Sequence, residues 1–496
     1  MLATKNLLQR RLSSTNALLA VVCLAQFMVV LDISIVNVAL PSIRTGLGFS
    51  TTGLQWVVNA YTLTFAGLLM LGGRAADLLG RRRVFLVGTA MFALSSLACA
   101  LATSRGLMIT ARGVQGIAGA ISSPATLSII TSTLPEGRER NRGLALWGAM
   151  GALGASSGAL LGGILVQWIG WQAIFAVNVP LGAVVVGLGL VAIPPIAPVS
   201  GQPRHFDALG AALVTAGLIA ITFGIVRTDT LGWGSPGVLG PLAIGVALVA
   251  AFAFVEARVA RVPLVPLSIF RIRRLRAANA IVLLMYAANF PTWFFLTLYL
   301  QQVLHLDAIE TGIGFLPMTL SIFTGSTLAP RAVARFGPQR VIVTAMLVMS
   351  AGLALLTGVA PGGTYVGSVL AGAVLTALGM GFSLVPSTIV AMQGVAGSDS
   401  GVASGLLNTS RLLGGALGLA VLSTIASSQT RGDATAGPLQ ALSSGFDLAF
   451  TVAIGIALAG AAIGAVALRR PAEAPARVVD VPAGDEEPAE EPALAA

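Results

Sequence analysis

Charge is scarce in this chain. Only 10% of its 496 residues are Asp, Glu, Lys or Arg, far below the ~25% typical of soluble domains. Histidine is almost missing, with 2 residues, and the 2 cysteines, Cys23 and Cys99, fall inside apolar runs. That leaves no Cys-x-x-Cys pair, no metal-binding cluster and no disulfide framework to expect. The sequence also has no G-x-x-x-x-G-K-[ST] phosphate loop and no H-E-x-x-H pair, which argues against an ATP-driven pump or a zinc hydrolase. Long polar stretches are missing between the apolar ones, so no soluble catalytic domain fits. Neither enzyme chemistry nor a cofactor is expected.

Hydrophobicity takes the place of charge: 56% of the residues are apolar, mean hydropathy is +0.89 and there are 59 glycines. A helix crosses the hydrocarbon core with ~20 apolar residues. Fourteen runs of that size lie between residues 16 and 468. Regular alternation is absent, and lipid offers no partner to an open sheet edge. The expected fold class is therefore an all-α integral membrane protein. Lys5, Arg10 and Arg11 precede the first run in the manner of a signal peptide. That run is too long for a cleaved segment and lacks an A-x-A site, so it reads as a retained first helix.

The arginines set the orientation. They gather at 74–83, 138–142, 258–276 and 331–340, which alternate loops place on one side together with both tails. Arg44, Arg105, Arg227 and Arg431 fall on the other side. Positive loops stay inside, so both termini are expected in the cytoplasm of a cell (plasma) membrane protein. The net charge of +10 then reflects topology, and no nucleic-acid partner is expected. A weak echo relates 73–83 to 329–340, each following a helix and leading into another. Two related halves around a central site are the usual build of secondary transporters.

Two charges interrupt the apolar helices at similar depth. Asp32 lies in the first, without a charged neighbour in its own segment, and Arg112 lies in the fourth. Ionisable groups inside a membrane are functional by default. Arg112, Gln115, Gly116 and Gly119 share one helical face, which is expected to line a cavity. There Arg112 would set, according to conformation, whether Asp32 holds a proton; the alternative is a fixed structural ion pair. Gly148, Gly151, Gly154, Gly158, Gly162 and Gly163 line one face of the fifth helix, where backbones can approach closely. That face is either plain helix packing or a bendable contact between halves. In the loop Gly73…Asp77…Gly80-Arg81, Asp77 is expected to cap a helix of the other half in one conformation, unless the loop only sets topology. Asn37, Gln115, Asn178, Asn289, Gln301, Asn408 and Arg411 are candidates to bond substrate or to join helices. Trp56, Trp293, Phe294 and Phe295 are candidate cavity walls, with lipid-facing packing as the alternative. His205 and His305 read as loop residues without a role.

Several of these stretches resemble a known family. Leu31-Asp32…Asn37-Val38-Ala39-Leu40-Pro41 resembles the first-helix signature of the fourteen-helix drug–proton antiporters of the major facilitator superfamily. Gly73…Asp77…Gly80-Arg81-Arg82-Arg83 is similar to that superfamily's loop motif, and Arg112…Gln115-Gly116 to its fourth-helix motif tied to proton coupling. Gly154…Gly158-Ala159-Leu160-Leu161-Gly162-Gly163 resembles the antiporter motif, and departs from it at Ala159, where that motif has proline. Trp56, Asn178-Val179-Pro180, Pro263 to Leu267 and Gly401…Gly405…Asn408…Arg411 are also similar to the family.

The resemblance implies two six-helix bundles, 16–191 and 276–468, with two inserted helices in a 192–275 linker. A cytoplasmic tail at 1–15 and a Pro/Ala/Glu-rich, disordered one at 469–496 complete the chain. It also implies a proton-coupled, alternating-access exporter of amphipathic drugs or metabolites, driven by the proton gradient without a cofactor. The expected partners are a small substrate, protons and the bilayer, with no obligate protein partner. Ala159 leaves a proton-linked importer open, and a non-transporting membrane sensor is the remaining alternative.

The last six helices carry no carboxylate well inside an apolar span. Neutral, zwitterionic or singly charged amphipathic substrates and a low proton stoichiometry follow. Transport assays with matched monocations and dications should favour the monocations; efficient dication export with the same pH dependence would overturn this.

Overall fold

The computed structural model describes residues 2–135, 137–194, 207–260, 263–395, 400–433 and 437–469. Arg204, His205 and the tail expected to be disordered beyond Arg469 lie outside the described residues. Among the described residues the structure is helical, without strands. Its 14 membrane-length helices are α1 Thr15–Leu47, α2 Thr52–Leu79, α3 Arg81–Ala100, α4 Arg105–Thr133 and α5 Arg138–Trp168. Next come α6 Ala173–Ala192, α7 Ala208–Thr228, α8 Pro236–Val259, α9 Arg273–Val303 and α10 Ala308–Phe336. The last four are α11 Pro338–Leu356, α12 Tyr365–Met392, α13 Gly401–Gly432 and α14 Pro438–Ala467. The outer surface exposes Leu94, Val191, Val246, Phe254 and Val366, the apolar belt that a multi-pass protein offers to lipid.

Helix ends follow local chemistry. Ser50 and Ser104 accept from the backbone N–H of Gly53 and Leu107, capping α2 and α4. Asp307 and Glu310 form a reciprocal capping box at α10. Gly80 separates α2 from α3 at φ 95°, and Gly337 separates α10 from α11 at φ 78°, backbone that favours glycine. α1 runs further than its apolar pattern suggests. It passes through Pro41 to Leu47 because Ile43, fully buried, continues the packing face beyond the proline.

In the first half, α1 packs on α5, α2 on α4, and α3 between α4 and α6. In the second half, α9 packs on α13 and α14, α11 on α12 and α14, and α10 on α12. α7 and α8 pair with each other, and α7 alone lies against both α2 and α13. Trp56 meets Phe223 across the α2–α7 contact, with ring centroids 6.3 Å apart. Ser423 of α13 donates to Gln55 of α2 at 2.7 Å.

Glycines let these helices touch. A Cβ on Gly414 would run into the Leu283 carbonyl of α9, and one on Gly418 into the Ala287 carbonyl. Nothing lies within 4 Å of where a Gly148 Cβ would stand. Gly418→Val should therefore lower stability by roughly 1–3 kcal/mol through overpacking. Gly148→Ala, on the same physics, should leave it unchanged or raise it by about 0.5–1 kcal/mol. Thermal melts of the two variants in detergent check the pair, and equal effects would refute this account of the packing.

Candidate functional site

Asp32, Arg112, Gln115, Asn178 and Ser96 come from four helices and meet at one buried point. Asp32, Gln115, Asn178 and Ser96 are 0% exposed and Arg112 1%. Arg112 Nη1 donates to Asp32 Oδ2 at 2.7 Å and to Gln115 Oε1 at 2.6 Å. Gln115 Nε2 and Asn178 Nδ2 both donate to Asp32 Oδ1 at 2.8 Å. The same two amides donate to Ser96 Oγ, at 2.7 and 3.0 Å. Arg112 Nε donates to the Val57 carbonyl of α2 at 2.8 Å, and its guanidinium lies 4.4 Å from the centre of the Tyr61 ring.

Three donors on one carboxylate form the environment of an ionised acid. The chemistry available is proton exchange at Asp32. A proton there would remove the charge that Arg112 faces and replace an acceptor by an O–H donor. The bonds that end on Asp32 would then have to adjust, because a buried, half-satisfied network is costly. Among the described residues no group of three metal-ligating side chains occurs.

α1 carries this site and a second set of contacts. Gly154, Gly158 and Gly162 of α5 lie along α1, where a Gly158 Cβ would stand 2.6 Å from the Ser34 Cβ. Ser34 Oγ donates to the Ala155 carbonyl at 2.7 Å, the carbonyl that a proline at 159 would leave without its helical N–H. On the opposite face of α5, Gly163 meets the Ala308 carbonyl of α10, and Gly312 of α10 meets the Ala159 carbonyl. Further along α1, Gln301 Nε2 donates to the Val38 carbonyl at 2.9 Å, and Arg44 donates to Gln302 Oε1 at 3.0 Å. These contacts hold the two halves together at the end away from the arginine-rich loops.

At the arginine-rich end the halves part around a cavity of about 820 Å³. Its walls include Met70, Asp77, Pro124, Thr388, Asn408 and Arg411. Gly73 and Arg81 lie at its rim, beside Asp77, which pairs with Arg81 at 3.1 Å. The expected cap by Asp77 on the other half is not made in this conformation, because the halves stand apart here. Gly72, rather than Gly73, is the close-approach glycine of this segment: a Cβ on it would run into the Ala120 carbonyl of α4.

Several residues lie elsewhere than the sequence suggests. Gln115 and Asn178, candidates to bond substrate or to join helices, join α4 and α6 to α1 through Asp32. The face of Gly116 and Gly119 packs on Tyr61, Thr64 and Phe65 of α2, so it lines no cavity. Asn37 donates within its own helix, to Ile33 and Ser34. Gln301 seals the halves, and Trp56 packs on α7. Asn289 is 1% exposed and its amide nitrogen has no partner. Trp293, half-buried, stacks on Phe315 at 4.9 Å, while Phe294 and Phe295 are buried inside the second half; none of the three lines the cavity. Gly148 and Gly151 make no close helix contact, and His305 is the one non-glycine residue with positive φ among those described. Of the proposed cavity residues, Asn408 and Arg411 line it, and Arg411 donates to Thr388 at 3.1 Å. Ser96 and Tyr61 were not legible as site residues. A serine or tyrosine in an apolar helix gives no signal without the partner that comes to it.

The family model described as Major Facilitator Superfamily matches residues 22–419. The cephamycin export protein CmcT of Amycolatopsis lactamdurans is 42% identical over 423 residues, covering 85% of this chain and 87% of that protein. The puromycin resistance protein pur8 of Streptomyces alboniger is 37% identical over 449 residues, covering 89% and 88%. Among solved structures, the POT family transporter PepTSo has a TM-score of 0.68 at 14% identity, covering 92% of this chain and 98% of that one. That last likeness is one of fold.

The ion pair makes a stability prediction. Arg112→Met leaves the Asp32 carboxylate buried without its counter-charge and should cost about 3–5 kcal/mol. Combining it with Asp32→Asn removes the orphan charge and should restore part of the loss. Melting temperatures of wild type, single and double variants test this, and a double variant no more stable than Arg112→Met would rule it out.

Proposed function

The chain belongs to the Major Facilitator Superfamily, and from that premise we propose that it is a proton-coupled exporter of amphipathic drugs or metabolites. It would work by alternating access in the plasma membrane, with both termini in the cytoplasm. The observation that carries the reading is that one helix, α1, bears both the titratable carboxylate and the seam between halves. Val38 follows Asp32 by six residues and Arg44 by twelve, ~9 and ~18 Å along the helix. A proton arriving at Asp32 would loosen the grip of Arg112, Gln115 and Asn178. The resulting movement of α1 reaches the Val38–Gln301 and Arg44–Gln302 contacts directly.

The conformation supports the same cycle. Asp32 accepts three donors, the Arg112 guanidinium among them, while the cavity faces the arginine-rich side, which positive-inside topology makes cytoplasmic. This corresponds to a transporter that has released its proton inward and awaits substrate. Substrate and proton then act as competing ligands, each shifting the equilibrium by its preference for one state. Arg411, half-buried in the cavity wall with its Nε unpartnered, offers a cation to a carboxylate-bearing or zwitterionic substrate. The names of the relatives, an export protein and a resistance protein, favour export over import.

The test uses purified protein in liposomes with a trapped pH dye and an imposed proton gradient. Amphipathic compounds, including carboxylate-bearing ones, are added to wild type and to Asp32→Asn. Compound-induced proton movement should fall to background in the variant. Persistence of that flux would move the coupling away from Asp32, and accumulation of substrate in the direction of the protons would favour import.

A further inference from the structure

The side of α2 that lines the cavity at its inner end continues outward as a sealed strip. Met70 lines the cavity and also meets α13, where a Cβ on Gly405 would stand 3.3 Å from the Met70 Cε. Outward from Met70, Leu63, Asn59 and Gln55 follow at four-residue intervals on one side of the helix. Leu63 packs with Ala416 of α13 in one buried cluster. Gln55 Oε1 accepts from Ser423 of α13 at 2.7 Å. The seam between α2 and α13 therefore passes over Asn59, which lies between these two contacts.

Asn59 is 0% exposed, and neither its Nδ2 nor its Oδ1 has a hydrogen-bond partner. One turn outward, Gln55 is equally buried and its Nε2 has no acceptor. A sealed apolar seam gains nothing from such groups, since each buried donor or acceptor left unpaired costs free energy. A ligand that brings its own donor and acceptor would satisfy Asn59 once the seam parts. That ligand group is uncharged, because the strip holds no counter-charge. α2 has no charged residue between Arg44 and Arg74, and α13 has none between Arg411 and Arg431. α7, which packs on both, has none between Asp207 and Arg227. Arg112 meets α2 on its opposite side, at Val57 and Tyr61.

We propose that Asn59, with Gln55 beside it, forms a substrate subsite that exists only when the seam opens outward, and that it binds an uncharged amide group. The inference rests on the alternating-access reading and adds where a substrate is held on the outer side and by what chemistry. A carboxamide has one acceptor oxygen and two N–H donors, so a second amide pairs with it through two reciprocal bonds. An ester only accepts, and makes one. Asn408 and Arg411 line the cavity in the present conformation, while Asn59 stays closed off, ~16 Å along α2 from Met70. A substrate moving outward exchanges the first set of groups for the second.

Cells expressing the full-length protein test the opening. Asn59→Cys should react with a membrane-impermeant maleimide added outside, while wild type, whose Cys23 and Cys99 are buried, should not. Alternating access is checked separately by oxidising Arg44→Cys with Gln302→Cys across the outer seam, which should halt transport until the disulfide is reduced. An unreactive Asn59→Cys beside a reversible halt overturns the subsite alone; loss of both results removes the subsite together with the reading it rests on. The chemistry is tested with dansyl-phenylalaninamide and its methyl ester in liposomes. Wild type should transport the amide roughly tenfold better, and Asn59→Leu should bring the two together. Equal handling of the pair by wild type, transport of neither, or a preference that survives in Asn59→Leu would overturn the amide assignment. Asn59→Leu should melt no lower than wild type, since it removes two unpaired buried atoms; a clearly lower melt would reveal a partner and count against the proposal. Asn59→Ala repeats the transport comparison and decides it should Asn59→Leu fail to fold.

Discussion

The buried bond between Asp32 and Arg112 is the constraint on which the arrangement of the first half rests. Two charges removed from water need each other and further donors before their attraction offsets desolvation. The carboxylate obtains them from α4 through Gln115 and from α6 through Asn178, while α2 supplies the Val57 carbonyl to the guanidinium. Satisfying one ion pair therefore fixes α1, α2, α4 and α6 against one another. It also makes the pair sensitive: three donors from α4 and α6 converge on the one carboxylate.

Glycine and charge divide the work on α1. Near its middle, α5 approaches closely enough that the Gly158 and Gly162 backbones touch Ser34 and Ile35. On the far side of α5, Gly163 and Ala159 meet Ala308 and Gly312. α5 is thus held between the helix with the titratable acid and the first turns of α10 in the other half. Close backbone contacts have few intermediate positions, since packed interfaces are bistable rather than elastic. In the proposed cycle, a small change at Asp32 has a direct mechanical route to the seam, without an extended chain of couplings.

The inserted pair is more than filler between two bundles. α7 leans on α2 and on α13, one helix from each half, with Thr215 against Gly67 and Thr424 donating to the Ile225 carbonyl. At the cavity end of this pair sit two buried acids, Asp207 and Glu256.

The residues by themselves determined a great deal. Apolar run length decided that the chain is a bundle of membrane helices, arginine distribution supplied the expected sidedness, and the isolation of Asp32 and Arg112 in apolar helices singled them out. These are properties of single segments, governed by the cost of polar groups in hydrocarbon, and sequence reads them well. What touches what was decided only by the tertiary structure. Gln115 and Asn178 look like any cavity amides until folding brings them to one carboxylate. Gly72 and Gly73 cannot be told apart until α4 crosses one of them. Ser96 and Asn178 stand 82 residues apart, each an ordinary polar side chain of its own helix. Their meaning arises from contact, and contact between distant segments is set by packing, which no local pattern encodes.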